Sequence, residues 1–126
     1  QLDRLSGFQA TRKRNFNYYL DELKNIEGVL LPPNTGFDFT NSYYFFWIQV
    51  EKRNELAKYL LNKGVYTTFR YWPLHKVRLF SDFVDDKYAE ADLAAESTLN
   101  IPVHQSLSED DLKYIVESIK EFFERD

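Results

Sequence analysis

The chain has 126 residues, 44 % of them hydrophobic and 29 % charged, with sixteen Lys and Arg against twenty Asp and Glu. That is the size of one domain, large enough to bury roughly two-thirds of its unfolded surface. A net charge of −4 argues against a general nucleic-acid binder, and no apolar run approaches the roughly 18 residues of a membrane span. The absence of Cys excludes a disulfide framework and a thiolate metal site, and it favours the cytoplasm. The unusual figure is 17 % aromatic, with nine Tyr and eleven Phe. The chain has no Met, and Gln1-Leu2-Asp3 already stands in helical rhythm, so the expectation is a piece of a longer polypeptide.

From the start, Leu2, Leu5, Phe16, Tyr19, Leu23 and Ile26 share one stripe, with Gln9 and Arg12 in the two positions between. The spacing predicts a helix of about seven turns over residues 1–27, ended at Gly28, where a left-handed conformation is cheapest. Its polar breaks suit a connector between two domains, and Arg12, Lys13 and Arg14 read as a solvated face. Val29-Leu30-Leu31 is a short strand stopped by Pro32-Pro33, and residues 34–41 are a loop. "SYYFFWIQV", Ser42 to Val50, is apolar at nearly every position, so it is expected to be covered on both faces. Asn54 is the expected cap of a helix with Leu56, Ala57, Leu60 and Leu61 on its apolar side, closed by Gly64.

Val65 to Tyr71 is rich in β-branched and aromatic residues and reads as a third strand, stopped at Trp72-Pro73 because proline has no N–H for a ladder. Phe80 to Asp86 is irregular or a helical turn, and Asp86 to Leu99 is a helix. Asn100 to His104 is extended, since Pro102 biases Ile101 away from helical geometry. Ser108 with Asp111 forms a capping-box-like start for a last helix with Leu112, Ile115, Val116, Ile119, Phe122 and Phe123 on one stripe. The order predicts a two-layer α/β sandwich: a small sheet of three to four strands with helices on one face. The excess aromatics are expected on the other face, in contact with the rest of the protein.

The chemistry is sparse. His75 and His104 are the only histidines, and without Cys no metal-ligand spacing is present. There is no nucleophile elbow, and Gly7, Gly28, Gly36 and Gly64 stand too far apart to cradle a phosphate. No catalytic, cofactor-binding or metal-ligating residue is assigned within the chain. The exception is the end of the third strand, where Arg70, Tyr71 and His75 gather a guanidinium fork, a phenol and an imidazole. On residue types alone the structural reading is favoured there, with Arg70 paired to an acidic side chain and Tyr71 packed in the core.

A resemblance changes the weights. "GVYTTFRYWPLH", Gly64 to His75, resembles the Gly-Ile-x-Thr-x-x-His-Tyr-x-Pro-Leu-His motif of the DegT-type sugar aminotransferases. "QLDRL...RKRNFNYYLDEL" resembles their linking helix, "SYYFFWIQV" their Ser-aromatic-His-Leu-Tyr strand, and "ESTLNIPVHQSLSEDDLKYIVESI" their ending. The similarity runs in order over essentially the whole chain. It implies the C-terminal small domain of a fold-type I aminotransferase, spanning 1–126 with 1–27 as the linking helix. It also implies pyridoxal phosphate on a lysine of an upstream large domain, a homodimer, and transfer of an amino group from glutamate to a nucleotide-linked keto sugar. Arg70 and Tyr71 are then candidates for the substrate's diphosphate, His75 for ordering the loop after Pro73, and Tyr44 for a substrate contact. Two positions depart from the pattern: Arg70 replaces the usual His before the Tyr, and Tyr44 stands where His is common. These departures leave open a nucleotide-sugar dehydratase or a regulatory homologue of the same family. A stand-alone α/β interaction module is the alternative from another class.

Overall fold

The computed structural model describes residues 2–33, 41–84 and 88–125; the predicted loop over 34–40 and the start of the third predicted helix, at 85–87, lie outside them. A 3-10 turn at Leu2–Arg4 leads into helix α1, Leu5–Leu23. Then follow strand β1, Phe46–Gln49; helix α2, Arg53–Asn62; two 3-10 turns at Leu74–Lys76 and Arg78–Phe83; helix α3, Ala89–Ser97; strand β2, Thr98–Ile101; and helix α4, Glu109–Glu124.

Strands β1 and β2 pair antiparallel, with Phe46 opposite Ile101 and Ile48 opposite Leu99. These four side chains are buried together with Tyr19 and Leu23 of α1, Leu56 and Leu60 of α2, and Leu112, Ile115, Val116 and Ile119 of α4. One layer is therefore the sheet and the other the three helices, as the apolar stripes require. The sheet itself is narrower than its predicted strands. Val29–Leu31 contributes one bridge, Leu30 to Gln49, and the Val65–Tyr71 stretch one bridge, Thr68 to Asn100. The result is four rows, of which the inner two form a ladder and the outer two touch it once.

Three sequence expectations need correction. The Ser42–Val50 strand is ordered as a ladder only over Phe46–Gln49, and it alternates after all: Phe46, Ile48 and Val50 are buried while Trp47 and Gln49 are half-buried. Its aromatic richness hides the period because Trp47 occupies an outward position that a polar residue commonly holds. The α2 helix starts at Arg53 with Lys52 at the cap position and no side-chain cap bond, so Asn54 lies one residue inside the helix. The first helix ends at Leu23, about a turn early, and its N-terminal stripe residues Leu2 and Leu5 are exposed whereas the polar Asn15 is fully buried.

Gly64 closes α2 as expected, whereas α1 stops five residues before Gly28. Gly28 and Gly64 each adopt φ +79°, the left-handed region where a Cβ is strained. At α4 the Ser108 hydroxyl accepts from the Asp111 N–H at 3.1 Å, while the Ser108 N–H donates to the Asp111 carboxylate at 2.8 Å. The Ser108 hydroxyl and amide hold the Asp111 carboxyl below its usual range. Ser108→Ala is expected to lower stability by about 1 kcal/mol at neutral pH. A depressed carboxylate contributes stability that is complete above its ordinary value of roughly 4 and is lost as pH falls through the lowered one. The deficit of Ser108→Ala, measured by urea unfolding at pH 7 and again at acid pH, should therefore shrink in acid.

Candidate functional site

A cleft of 610 Å³ opens where β2 ends and the chain enters β1, between the 64–70 stretch and the first half of α4. Tyr44, Arg70, Asn100, His104, Asp111 and Tyr114 are among its lining residues. Each is placed by an element already described. Thr68 and Asn100 exchange both backbone hydrogen bonds, at 3.1 and 2.6 Å, which fixes the 68–70 stretch against β2. The Tyr114 hydroxyl donates to the Lys63 carbonyl at 3.0 Å, tying α4 to the end of α2 just before Gly64. Lys63 also pairs with Glu121, which raises the Lys63 pKa and lowers that of Glu121.

Arg70 and Tyr44 come together in the cleft, as the sequence brings neither near the other. An Arg70 guanidinium N–H donates to the Tyr44 hydroxyl at 3.3 Å, and the guanidinium carbon stands 6.0 Å from the Tyr44 ring centre. Hydrogen bonding to Tyr44, and next to Tyr71, pushes the Arg70 pKa further up, so it is cationic at any working pH. Tyr71 is one of the most exposed aromatic side chains, 76 % accessible, and is not packed in the core. Among the described residues Arg70 does not pair with a carboxylate as expected: its partners are phenols.

His75 goes elsewhere. Its ring stacks on Tyr88 with centres 4.7 Å apart and planes at 13°, and its Nε2–H donates to Asp92 Oδ1 at 2.7 Å. Lys76 Nζ reaches the same oxygen at 2.8 Å. Lys76, then His75, hold the Asp92 carboxyl below its usual range, and Asp92 in turn raises Lys76. His75 thus moors the 72–84 arm to α3. The sequence-level search did not single out Asn100, Tyr114 or Asp92. Asn100 carried a signal, as the one amide within the apolar run Leu99 to Val103. Asp92 carried none, since its partners lie sixteen and seventeen positions away and no period links them.

Among the described residues no cluster of three His, Asp or Glu side chains could hold a metal ion, and no helix is long and apolar enough to cross a membrane. Besides apolar side chains, the cleft lining holds one guanidinium, one amide, one imidazole, several hydroxyls and one carboxylate, Asp111; the guanidinium is the group suited to an acceptor-rich anion such as a phosphate ester.

The chain matches the DegT/DnrJ/EryC1/StrS aminotransferase family over residues 1–120 and belongs to that family. It is 34 % identical over 126 residues to the dTDP-4-dehydro-2,3,6-trideoxy-D-glucose 4-aminotransferase of Saccharopolyspora spinosa, covering 98 % of this chain and 32 % of that one. A pleiotropic regulatory protein of Geobacillus stearothermophilus is 32 % identical, over 97 % of this chain and 33 % of its own. The crystal structure of the aminotransferase TlmJ from Streptoalloteichus hindustanus superposes with a TM-score of 0.93 at 34 % identity, over 98 % of this chain and 34 % of that chain. The chain therefore spans about a third of the length of these relatives.

Aminotransferases of this family depend on pyridoxal phosphate. The residues described here do not fit that cofactor, which needs a lysine amine free to lose its proton. No lysine lines the cleft, and Lys63 and Lys76 are held protonated by carboxylates.

The mooring of the arm is testable. Asp92→Asn leaves His75 and Lys76 without their shared carboxylate, and trypsin cleavage after Lys76 and Arg78 should accelerate relative to cleavage in α4. Unchanged cleavage of the arm would show that the stacking of His75 on Tyr88 suffices to hold it.

Proposed function

We propose that this chain is the C-terminal small domain of a pyridoxal-phosphate-dependent aminotransferase that moves an amino group, from glutamate, onto a keto sugar linked to a nucleotide. The domain spans 1–126, and residues 1–27 lead in from a large domain that holds the cofactor on its own lysine. The whole enzyme is a homodimer of the cytoplasm. The transfer chemistry belongs to the large domain; this chain contributes a wall of the substrate cleft.

The observation that carries the reading is the Arg70–Tyr44 pair. Arg70 is hydrogen-bonded to phenols, with no carboxylate among its described partners, in a cleft whose lining mixes apolar side chains such as Phe45, Val65 and Leu107 with polar ones. A planar, permanently charged fork suits a diphosphate, and a phenol beside it supplies a second hydroxyl. Tyr71 is placed next to Arg70 and exposed, available to the same ligand. His75 acts at one remove, by holding the loop that follows Pro73. The family membership and the sugar aminotransferase relative from Saccharopolyspora spinosa support the substrate class.

The test is made in the full-length enzyme with dTDP-4-dehydro-2,3,6-trideoxy-D-glucose as the sugar substrate. Arg70→Ala removes charge-assisted hydrogen bonds and should raise KM for the nucleotide-sugar roughly tenfold to a hundredfold, with the half-reaction of the amino donor nearly unchanged. Arg70→Lys should fall between, since it keeps the charge without the fork. If Arg70→Ala impairs both half-reactions equally and lowers Tm, Arg70 is architecture and the reading fails.

A further inference from the structure

We infer that Asn15 and Tyr19 are positioning residues of the cleft, holding from one face of α1 the stretch after β2 that forms part of its wall. The inference rests on the substrate cleft proposed above. It starts from two hydrogen bonds that span most of the chain. The Tyr19 hydroxyl donates to the Pro102 carbonyl at 2.7 Å, and the Asn15 amide Nδ2–H donates to the His104 carbonyl at 3.1 Å. The two donors are four residues apart, hence on one face of the helix, and both side chains are fully buried.

Pro102, Val103 and His104 all line the cleft. They follow the last ladder pair, Phe46 with Ile101, so the sheet does not hold them. Pro102 has no N–H to bond with. The carbonyls of 102 and 104 are instead fixed from α1, and burial of the phenol pushes the Tyr19 pKa up, so its hydroxyl remains a donor. The same helix face supports the neighbouring stretch that leads into β1. Phe16 packs edge-on against Tyr43 at 5.3 Å and against Phe46 at 4.8 Å, and the Tyr19 ring lies 5.2 Å from Phe46. Tyr43 immediately precedes Tyr44, the partner of Arg70. One face of α1 thus reaches both of the adjacent strand ends that border the cleft.

The choice of residue also separates positioning from packing. Asn15 stands on the buried stripe of α1, where leucine would bury more apolar area, and its Oδ1 has no hydrogen-bond partner. A buried amide half-satisfied in this way is costly for stability. What it supplies is one defined position for the His104 carbonyl, which a leucine cannot give.

The experiment uses the full-length enzyme carrying Asn15→Leu or Tyr19→Phe, with Arg70→Ala beside them. Backbone amides of residues 101–107 should exchange with deuterium faster in both α1 variants, while those in the second half of α4 keep their parental rates. KM for dTDP-4-dehydro-2,3,6-trideoxy-D-glucose should rise roughly two- to tenfold, the loss of one neutral hydrogen bond. The amino-donor half-reaction should stay at its parental rate, and Asn15→Leu should keep the parental Tm. Should Tyr19→Phe fail to fold, Asn15→Leu decides alone. Parental exchange over 101–107, or a parental KM beside an Arg70→Ala that raises it, overturns the positioning role and leaves the substrate cleft standing. A neutral Arg70→Ala overturns the cleft and this inference with it. A KM increase accompanied by equal loss in both half-reactions and a lower Tm assigns Asn15 and Tyr19 to the fold alone.

Discussion

The register of Phe46 against Ile101 is the constraint on which the rest depends. A strand repeats every two residues, so a slip of one would carry Phe46 and Ile48 out of the core and put Trp47 and Gln49 into it. With only four paired positions, the ladder cannot enforce its own register by length. The helices do so: Tyr19, Leu56, Leu60, Ile115 and Ile119 close over Phe46, Ile48, Leu99 and Ile101, and the opposite face offers a single polar pair, the Gln49 amide donating to Thr98 Oγ1 at 3.1 Å. Inward burial is apolar, outward pairing is polar, and only one alignment satisfies both.

The cleft follows from where that ladder stops. Beyond Ile101 the backbone leaves the sheet, and ahead of Phe46 it has not yet joined. The two loose ends lie side by side because the strands are antiparallel. The 68–70 stretch touches the sheet at one bridge and then parts from it, which carries Arg70 out to the rim. Functional side chains thus sit on short irregular segments that a compact core holds in place, the usual division between scaffold and site.

How much of this was legible in the sequence depended on how local the cause was. The last helix was readable in full, because Ser108, Asp111 and the stripe from Leu112 to Phe123 all act within a few residues of one another. Gly64, at the end of α2, was readable for the same reason. The outer strands were over-read: Val29–Leu31 and Val65–Tyr71 have strand composition, yet each makes one bridge, since composition does not say how far a partner extends. Asn15 was passed over because the apolar stripe was read through its neighbour Phe16, and its partner, the His104 carbonyl, is 89 positions away. Arg70, Tyr71, His75 and Tyr44 were named together from a motif, but spatial proximity divides them. Tyr44, 26 positions from Arg70, is its partner, while His75, five positions on, turns to α3.

That division answers why an acidic protein gathers cations at one strand end. Net charge of −4 spread over the surface is screened beyond roughly 10 Å at ordinary salt, so what a ligand meets is the local balance. Lys76 and His75 share the Asp92 carboxylate, and Lys76 approaches Glu96 as well, at 3.8 Å. The Lys76 charge is spent on holding the arm. Arg70 is bonded to tyrosine hydroxyls, which orient a guanidinium without cancelling it. The Asp111 carboxylate, in the cleft lining, accepts two hydrogen bonds from the Ser108 cap, at 2.7 Å from the hydroxyl and 2.8 Å from the N–H. The cleft lining therefore carries one guanidinium held by phenols, Arg70, and one carboxylate, Asp111, whose partners are Ser108 groups rather than Arg70. An anion entering there displaces no carboxylate from Arg70, and avoids the cost of breaking an ion pair that a conventional surface arginine would impose.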